Sequence, residues 1–290
     1  MKSNKYAKRD FLPSYLPHNR KEVFFDVIKM RWKLLLLIGI LLTASLLPTI
    51  LISLFKKIIA FNIIQIQGVD ATLIANDLIA CSLYILFLPI FGFVLAGSMR
   101  IIRELVWQEG VIFKDDFRIG VKQNYGQYVA ILIIFSFFYL LAVFVLDIVN
   151  VFLVQYLPLV ILFIVITPVM MTMINLVPIY DHKVGKNIAF AFKFLLLKPH
   201  IVIPLSLLIS GMIIFVVFVP DLAMNYFGSV GLFITYGIFI LSIIFIFPLM
   251  ALFIFLVHNH LFDEYINKEQ HQDIYKKGIE TFEDSINNEN

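Results

Sequence analysis

Six long apolar runs, separated by polar connections, constrain this chain more than any other feature. They are Leu34–Phe55, Leu78–Met99, Tyr128–Leu146, Val151–Ile179, Ile201–Val219 and Val230–Val257. A helix needs roughly 20 apolar residues to cross the hydrocarbon of a bilayer, and each run approaches or exceeds that. The runs are continuous rather than alternating, which favours helices over barrel strands. With 61% hydrophobic and 15% charged residues, the chain carries more apolar surface than one soluble core can hide. The expected fold is all-α, a polytopic bundle of six transmembrane spans with amphipathic cytoplasmic helices. The fourth and sixth runs are long, so tilt or partial interfacial burial is expected there.

Charge placement sets the orientation. Of the 23 Lys and Arg, all but Lys56 and Lys57 fall before the first run, in the second and fourth connections, or in the tail. The positive-inside rule then puts both termini in the cytoplasm. Three regions follow: a basic cytoplasmic segment with an interfacial helix over 1–33, a six-span domain over 34–257, and a cytoplasmic helical tail over 258–290. Trp32 and Trp107 fall near cytoplasmic ends, where interfacial aromatics collect.

The inner connections share a pattern. After Asp115-Asp116, the residues Phe117, Val121, Tyr125 and Tyr128 recur at helical spacing. After Asn187, so do Ile188, Phe192, Leu195 and Pro199. Each reads as an interfacial helix, capped by an acidic or amide residue, followed by an elbow into the next span. Aligning Lys122 with Lys193 brings Gly120 onto Ala191 and Asp116 onto Asn187, by duplication or by convergence. Arg20–Lys33 spaces Phe24, Val27, Ile28 and Trp32 as an amphipathic helix, lying on the membrane or packed on neighbouring loops. Tyr275, Ile279, Phe282 and Ile286 predict another in the tail. Residues 56–77 either lie in the interface or extend the first helix.

The connection around Arg103, Glu109, Asp116-Phe117, Asn124 and Gln127, following Ala96-Gly97-Ser98, resembles that of the YesL-like family of bacterial membrane proteins. The second half adds Asp181, Asn187-Ile188-Ala189 and Pro199, then Pro248-Leu249 and Phe262-Asp263-Glu264-Tyr265. The resemblance covers about Arg20 to Tyr265, with a longer N-terminus and first outer connection here. Family members have no established activity, and their genes tend to lie beside carbohydrate uptake and degradation genes in Gram-positive bacteria. The resemblance implies a cell-membrane protein with a role in sugar uptake.

Little catalytic chemistry is legible. The spans carry no acid, Lys, Arg or His near their centres, which argues against a proton-coupled pump. His258 and His260, with Asp263 and Glu264, invite a metal reading. His-x-His on a helix points its rings apart, however, and no third strong ligand is near. No metal or cofactor is expected. Cys81 is the single cysteine, so no intrachain disulfide can form. No phosphate loop or nucleophile triad is present. The dispersed basic residues suit a membrane surface rather than nucleic acid.

Prolines within the runs predict kinks. Tyr84, Gln155, Thr167 and Asn175 either join helices or line a cavity. Glu104-Leu-Val-x-x-Glu109-Gly110 echoes the loop by which ABC-importer permeases engage their ATPase; otherwise it is an ordinary loop with Arg103 and Glu104 solvated. Arg103, Glu104, Glu109, Gly110, Asp116 and Phe117 are thus candidate partner-binding residues. Asp181, Asn187 and Pro199 are the second-half motif. The expected partners are the lipid bilayer and either sugar-transporter subunits or another membrane protein, with no nucleic acid. The expected role is accessory or regulatory, the alternative being a permease subunit that engages an ATPase through 98–127.

Overall fold

The computed structural model describes residues 16–67, 71–148 and 151–279. The irregular N-terminal stretch 1–15, and the tail positions Phe282 and Ile286, lie outside the described residues. Helices account for nearly all the rest: α1 (Arg20–Gln67), α2 (Ala71–Val106), α3 (Phe113–Ile148), α4 (Phe152–Ile161), α5 (Thr167–Leu176), α6 (Val184–Leu197) and α7 (Pro199–Phe262). No strand occurs among the described residues. Five helices are long and apolar enough to cross a membrane, or six if the bent pair Val184–Leu197 and Pro199–Gly211 forms one span.

All six apolar runs fall on these helices. Leu153, Phe144, Leu241 and Phe245 are exposed, whereas Ser45, Thr172, Asn175, Ser206 and Ser210 are buried. An apolar exterior around a partly polar interior suits lipid as the surrounding medium. Small residues let the helices close up. Gly39 of α1 lies so near the Ile244 carbonyl of α7 that a Cβ would overlap it.

The fifth and sixth runs lie within α7, which is two antiparallel arms. Gly228 breaks the helix with φ 59° and ψ −151°, a conformation only glycine adopts readily. The chain turns back there, so that Gly231 meets the Ala223 carbonyl. Contacts at both ends agree. Lys198 lies 4.0 Å from Glu264, so the two far ends of α7 share one end of the bundle. Asp221, near the turn, pairs with Lys57 of α1 at 2.7 Å at the opposite end. At α1's start, Arg20 meets Asp263 at 2.7 Å. The first and last helices therefore run antiparallel, and residues 20 and 263 lie at the same end.

Two interfacial elements behave differently from each other. Before the fifth run, α6 meets α7 at a bend of 112°. Pro199 supplies the break, since the residue before a proline avoids the helical region, and Lys198 sits at φ −134°, ψ 52°. The expected elbow before the third run is absent: α3 continues unbroken from Phe113 to Ile148. No proline interrupts Tyr125–Tyr128, so nothing stops the hydrogen-bond ladder.

The buried stripes also differ from the expected ones. On α3 the buried line is Asp116, Gly120, Asn124 and Tyr128, while Tyr125 is exposed. On α6 it is Asn187, Ala191, Phe194 and Leu195; of the expected stripe Leu195 is buried, while Phe192 and Pro199 are exposed. The sequence reading placed each apolar stripe on an interfacial helix and left open which residues pack inward. Beside lipid, small and polar residues turn inward and apolar ones face out. The expected caps change accordingly. Asp116 reaches back to accept from the Ile112 N–H at 2.7 Å, one turn inside the helix start. Asn187 does not cap α6; its amide donates to Gln127 of α3 at 3.0 Å.

Polar groups within the spans mostly return to backbone. Asn175 donates to the Met171 carbonyl, Thr167 to Leu162 and Gln155 to Leu146. A π-helical turn, Leu162–Ile166, precedes Pro168 and accommodates it between α4 and α5. At the start of α1, Arg31 is non-helical at φ −124°, setting the leading turns apart from the span. Their Val23 and Val27 are buried, so this segment packs on the bundle.

Candidate functional site

The polar connections converge on one end of the bundle and build a buried ionic layer there. Its first node is the end of α2. Glu104 is fully buried and accepts from Arg100 Nε at 2.7 Å, one helical turn away. Arg103, 8% exposed, donates from Nη1 to the Pro178 carbonyl at 2.8 Å. Its Nη2 lies 3.6 Å from Glu104 and 3.9 Å from Glu109. The guanidinium covers the Trp107 ring at 4.5 Å. Charges this far from water persist only when paired, and this cluster pairs each acid with a cation.

The second node joins the two ends of the chain. Asp263 accepts from Arg20 Nη2 at 2.7 Å, Asn267 Nδ2 at 2.8 Å and the Lys276 backbone N–H at 3.1 Å. Arg20 Nη1 donates to the Lys277 carbonyl at 2.8 Å. Turned so that its oxygen faces the guanidinium, the Asn259 amide accepts from Arg20 Nη2 at 2.7 Å. The Tyr180 hydroxyl donates to Asn267. Burial, and then the nearby Asp263 carboxylate, push that hydroxyl above its ordinary range, so it stays protonated as a donor.

Lys277 links the nodes. Its Nζ lies 2.6 Å from Glu109 and 4.7 Å from the Trp107 ring, which Arg103 also approaches. This explains why Tyr275–Gly278 is a turn and not the helix its spacing predicts. Asp263, Arg20 and Glu109 draw three successive groups across the bundle end. The backbone follows with Lys276 at φ 55° and Gly278 at φ 86°. Gly278 also lies against the Val106 carbonyl, where any side chain would collide.

The candidate residues therefore split. Arg103, Glu104, Asp116 and Asn187 are buried, Glu109, Gly110 and Phe117 are half-buried, and Asp181 and Pro199 are exposed. Arg103 and Glu104, candidates for partner binding or, on the ordinary-loop reading, solvated, are instead buried and paired within the bundle. Phe117 packs on Gly97 and stacks on Phe113. The second-half motif does not act as a unit: Asn187 ties α6 to α3, whereas Asp181 and Pro199 face outward.

Arg20, Tyr180, Asn267 and Lys277 also belong to the layer, and sequence reasoning passed over them as components. They are far apart in the chain, and no spacing rule connects positions 20 and 277. Trp107, expected as an interfacial anchor, is 7% exposed between two cations, while Trp32 is exposed. His258 lies buried beside Thr172, its Nε2 3.1 Å from that hydroxyl, and no metal-binding group of His, Cys, Asp or Glu occurs among the described residues. His182, stacked between Tyr180 and Phe190, has its pKa lowered by burial first, then by Lys186 and His271.

Comparisons with protein-family models, curated proteins and solved structures find no match for this chain. The layer consists of ion pairs and side-chain amide hydrogen bonds that join the start of α1, the end of α2, the end of α7 and the turn after it. Its chemistry is that of a clamp.

Proposed function

We propose that this is an integral membrane protein of the YesL-like type, with both termini in the cytoplasm. On this reading it is an accessory or regulatory component of carbohydrate uptake. The observation that carries the proposal is the ionic layer that ties both ends of the chain to the inner connections. Such a layer makes one end of the bundle a fixed platform. The span hydrogen bonds made by Thr167 and Asn175 return to their own helical segment, as a scaffold requires. The permease alternative fits less well, because Glu104 of the ATPase-loop echo is turned into the bundle and paired with Arg100.

Reporter fusions after residue 279 and before residue 16 should both read cytoplasmic, and one beside Asp221 should read outside. Co-purification in mild detergent should enrich subunits of a sugar-uptake system over an unrelated six-span protein. No such enrichment would overturn the accessory role. Substrate movement by the purified protein alone in vesicles would make it a transporter instead.

A further inference from the structure

A cavity of about 810 Å³ opens beside the ionic layer, between the start of α1, the end of α7 and the tail turn. This is the size of a ligand site. Its walls are apolar: Phe24, Phe25, Phe253, Leu256, Val257 and Ile279. Phe25 is 59% and Phe253 43% exposed, so the apolar side faces outward. The lining also carries three lysines, Lys21, Lys268 and Lys276, beside the Arg20–Asp263 pair. Of its two acids, Asp263 is paired with Arg20, and Glu264, half-exposed, lies 4.0 Å from Lys198. Lys21 and Lys268 are exposed and have no ion-pair partner among the described residues.

We infer that this cavity holds the headgroup and upper acyl chains of an anionic phospholipid. Charge complementarity selects a negative ligand. The apolar, outward-facing walls select a lipid over a soluble anion, which would gain nothing from them. Basic pockets at helix ends on the cytoplasmic side are suited to such headgroups. The bound lipid bridges Lys21 at the start of α1 to Lys268 and Lys276 after α7, and so reinforces the Arg20–Asp263 latch beside it. The inference rests on the membrane reading of the helices and not on the carbohydrate role.

The test uses the full-length protein in neutral detergent, with phosphatidylglycerol or phosphatidylcholine titrated at equal mole fraction. Binding is read by native mass spectrometry and by thermal shift. Phosphatidylglycerol should bind and raise the melting temperature, and phosphatidylcholine should not. Lys21→Ala/Lys268→Ala should weaken phosphatidylglycerol binding by about 30-fold, at the usual contribution of a basic residue near an anionic surface. Lys122→Ala/Lys193→Ala, exposed lysines outside the cavity lining, should leave binding unchanged. Equal effects of both lipids, equal losses in both variants, or equal stabilisation by inorganic phosphate would each overturn the lipid site. Extraction of the protein by alkaline carbonate without detergent would sink the membrane reading instead.

Discussion

Removing the Asp263 carboxylate tests the ionic layer most directly. Asp263→Ala deletes an ion pair of 2.7 Å whose side chains are 12% exposed for Arg20 and 6% for Asp263. Breaking such a buried pair from one side costs about 3–5 kcal/mol, because the remaining charge stays desolvated. The Asn267 amide and the Lys276 N–H lose their acceptor as well. These losses overlap with the charge effect, so the total stays near about 3–5 kcal/mol. At about 2–4 °C per kcal/mol, the figure for chains somewhat shorter than this one, the melting temperature should fall by roughly 6–20 °C. Intrinsic tryptophan fluorescence in detergent suits the measurement, since Trp107 lies in the layer between Arg103 and Lys277. A double-mutant cycle with Arg20→Met isolates the pair, with an expected coupling of about 0.5–3 kcal/mol. A shift below about 1 °C in Asp263→Ala, together with no coupling in the cycle, would refute the argument that this layer holds the chain ends together.

Three further outcomes follow from the same geometry. Gly278→Ala should cost about 1–3 kcal/mol through its left-handed backbone and its contact with Val106; trypsin should then cut faster after Lys276 and Lys277 in a timed digest. Gly39→Val should force α1 from Ile244 of α7 and lower the melting temperature by an amount equivalent to about 1–3 kcal/mol. Burial, then Lys186 and His271, lower the His182 pKa, so the unfolded chain binds its proton more readily and stability should fall as pH drops through its ordinary value of about 6.5. His182→Phe should flatten that part of a melting-temperature profile taken between about pH 7 and pH 5.

The sequence by itself determined the helical class, the places of the six apolar runs and the concentration of charge in alternate connections. Those properties are local: run length, continuity and composition act within one segment. Of the two elbows it predicted, the one at Pro199 forms, because a proline restricts the residue beside it, and the one before the third run, which has no proline, does not. The tertiary structure decided which face of each helix is buried. Phe117 and Tyr125 lie near Asp116 and Asn124 on one helix, and only the neighbours reveal that Asp116 and Asn124 are the buried pair. It also turned Tyr275–Gly278 from an expected helix into a strap. Helical spacing is a weak preference, whereas Arg20, Asp263 and Glu109 act on that strap from distant parts of the chain. Charge pairs such as Lys277–Glu109 form when folding brings their bearers together, and no linear pattern encodes them.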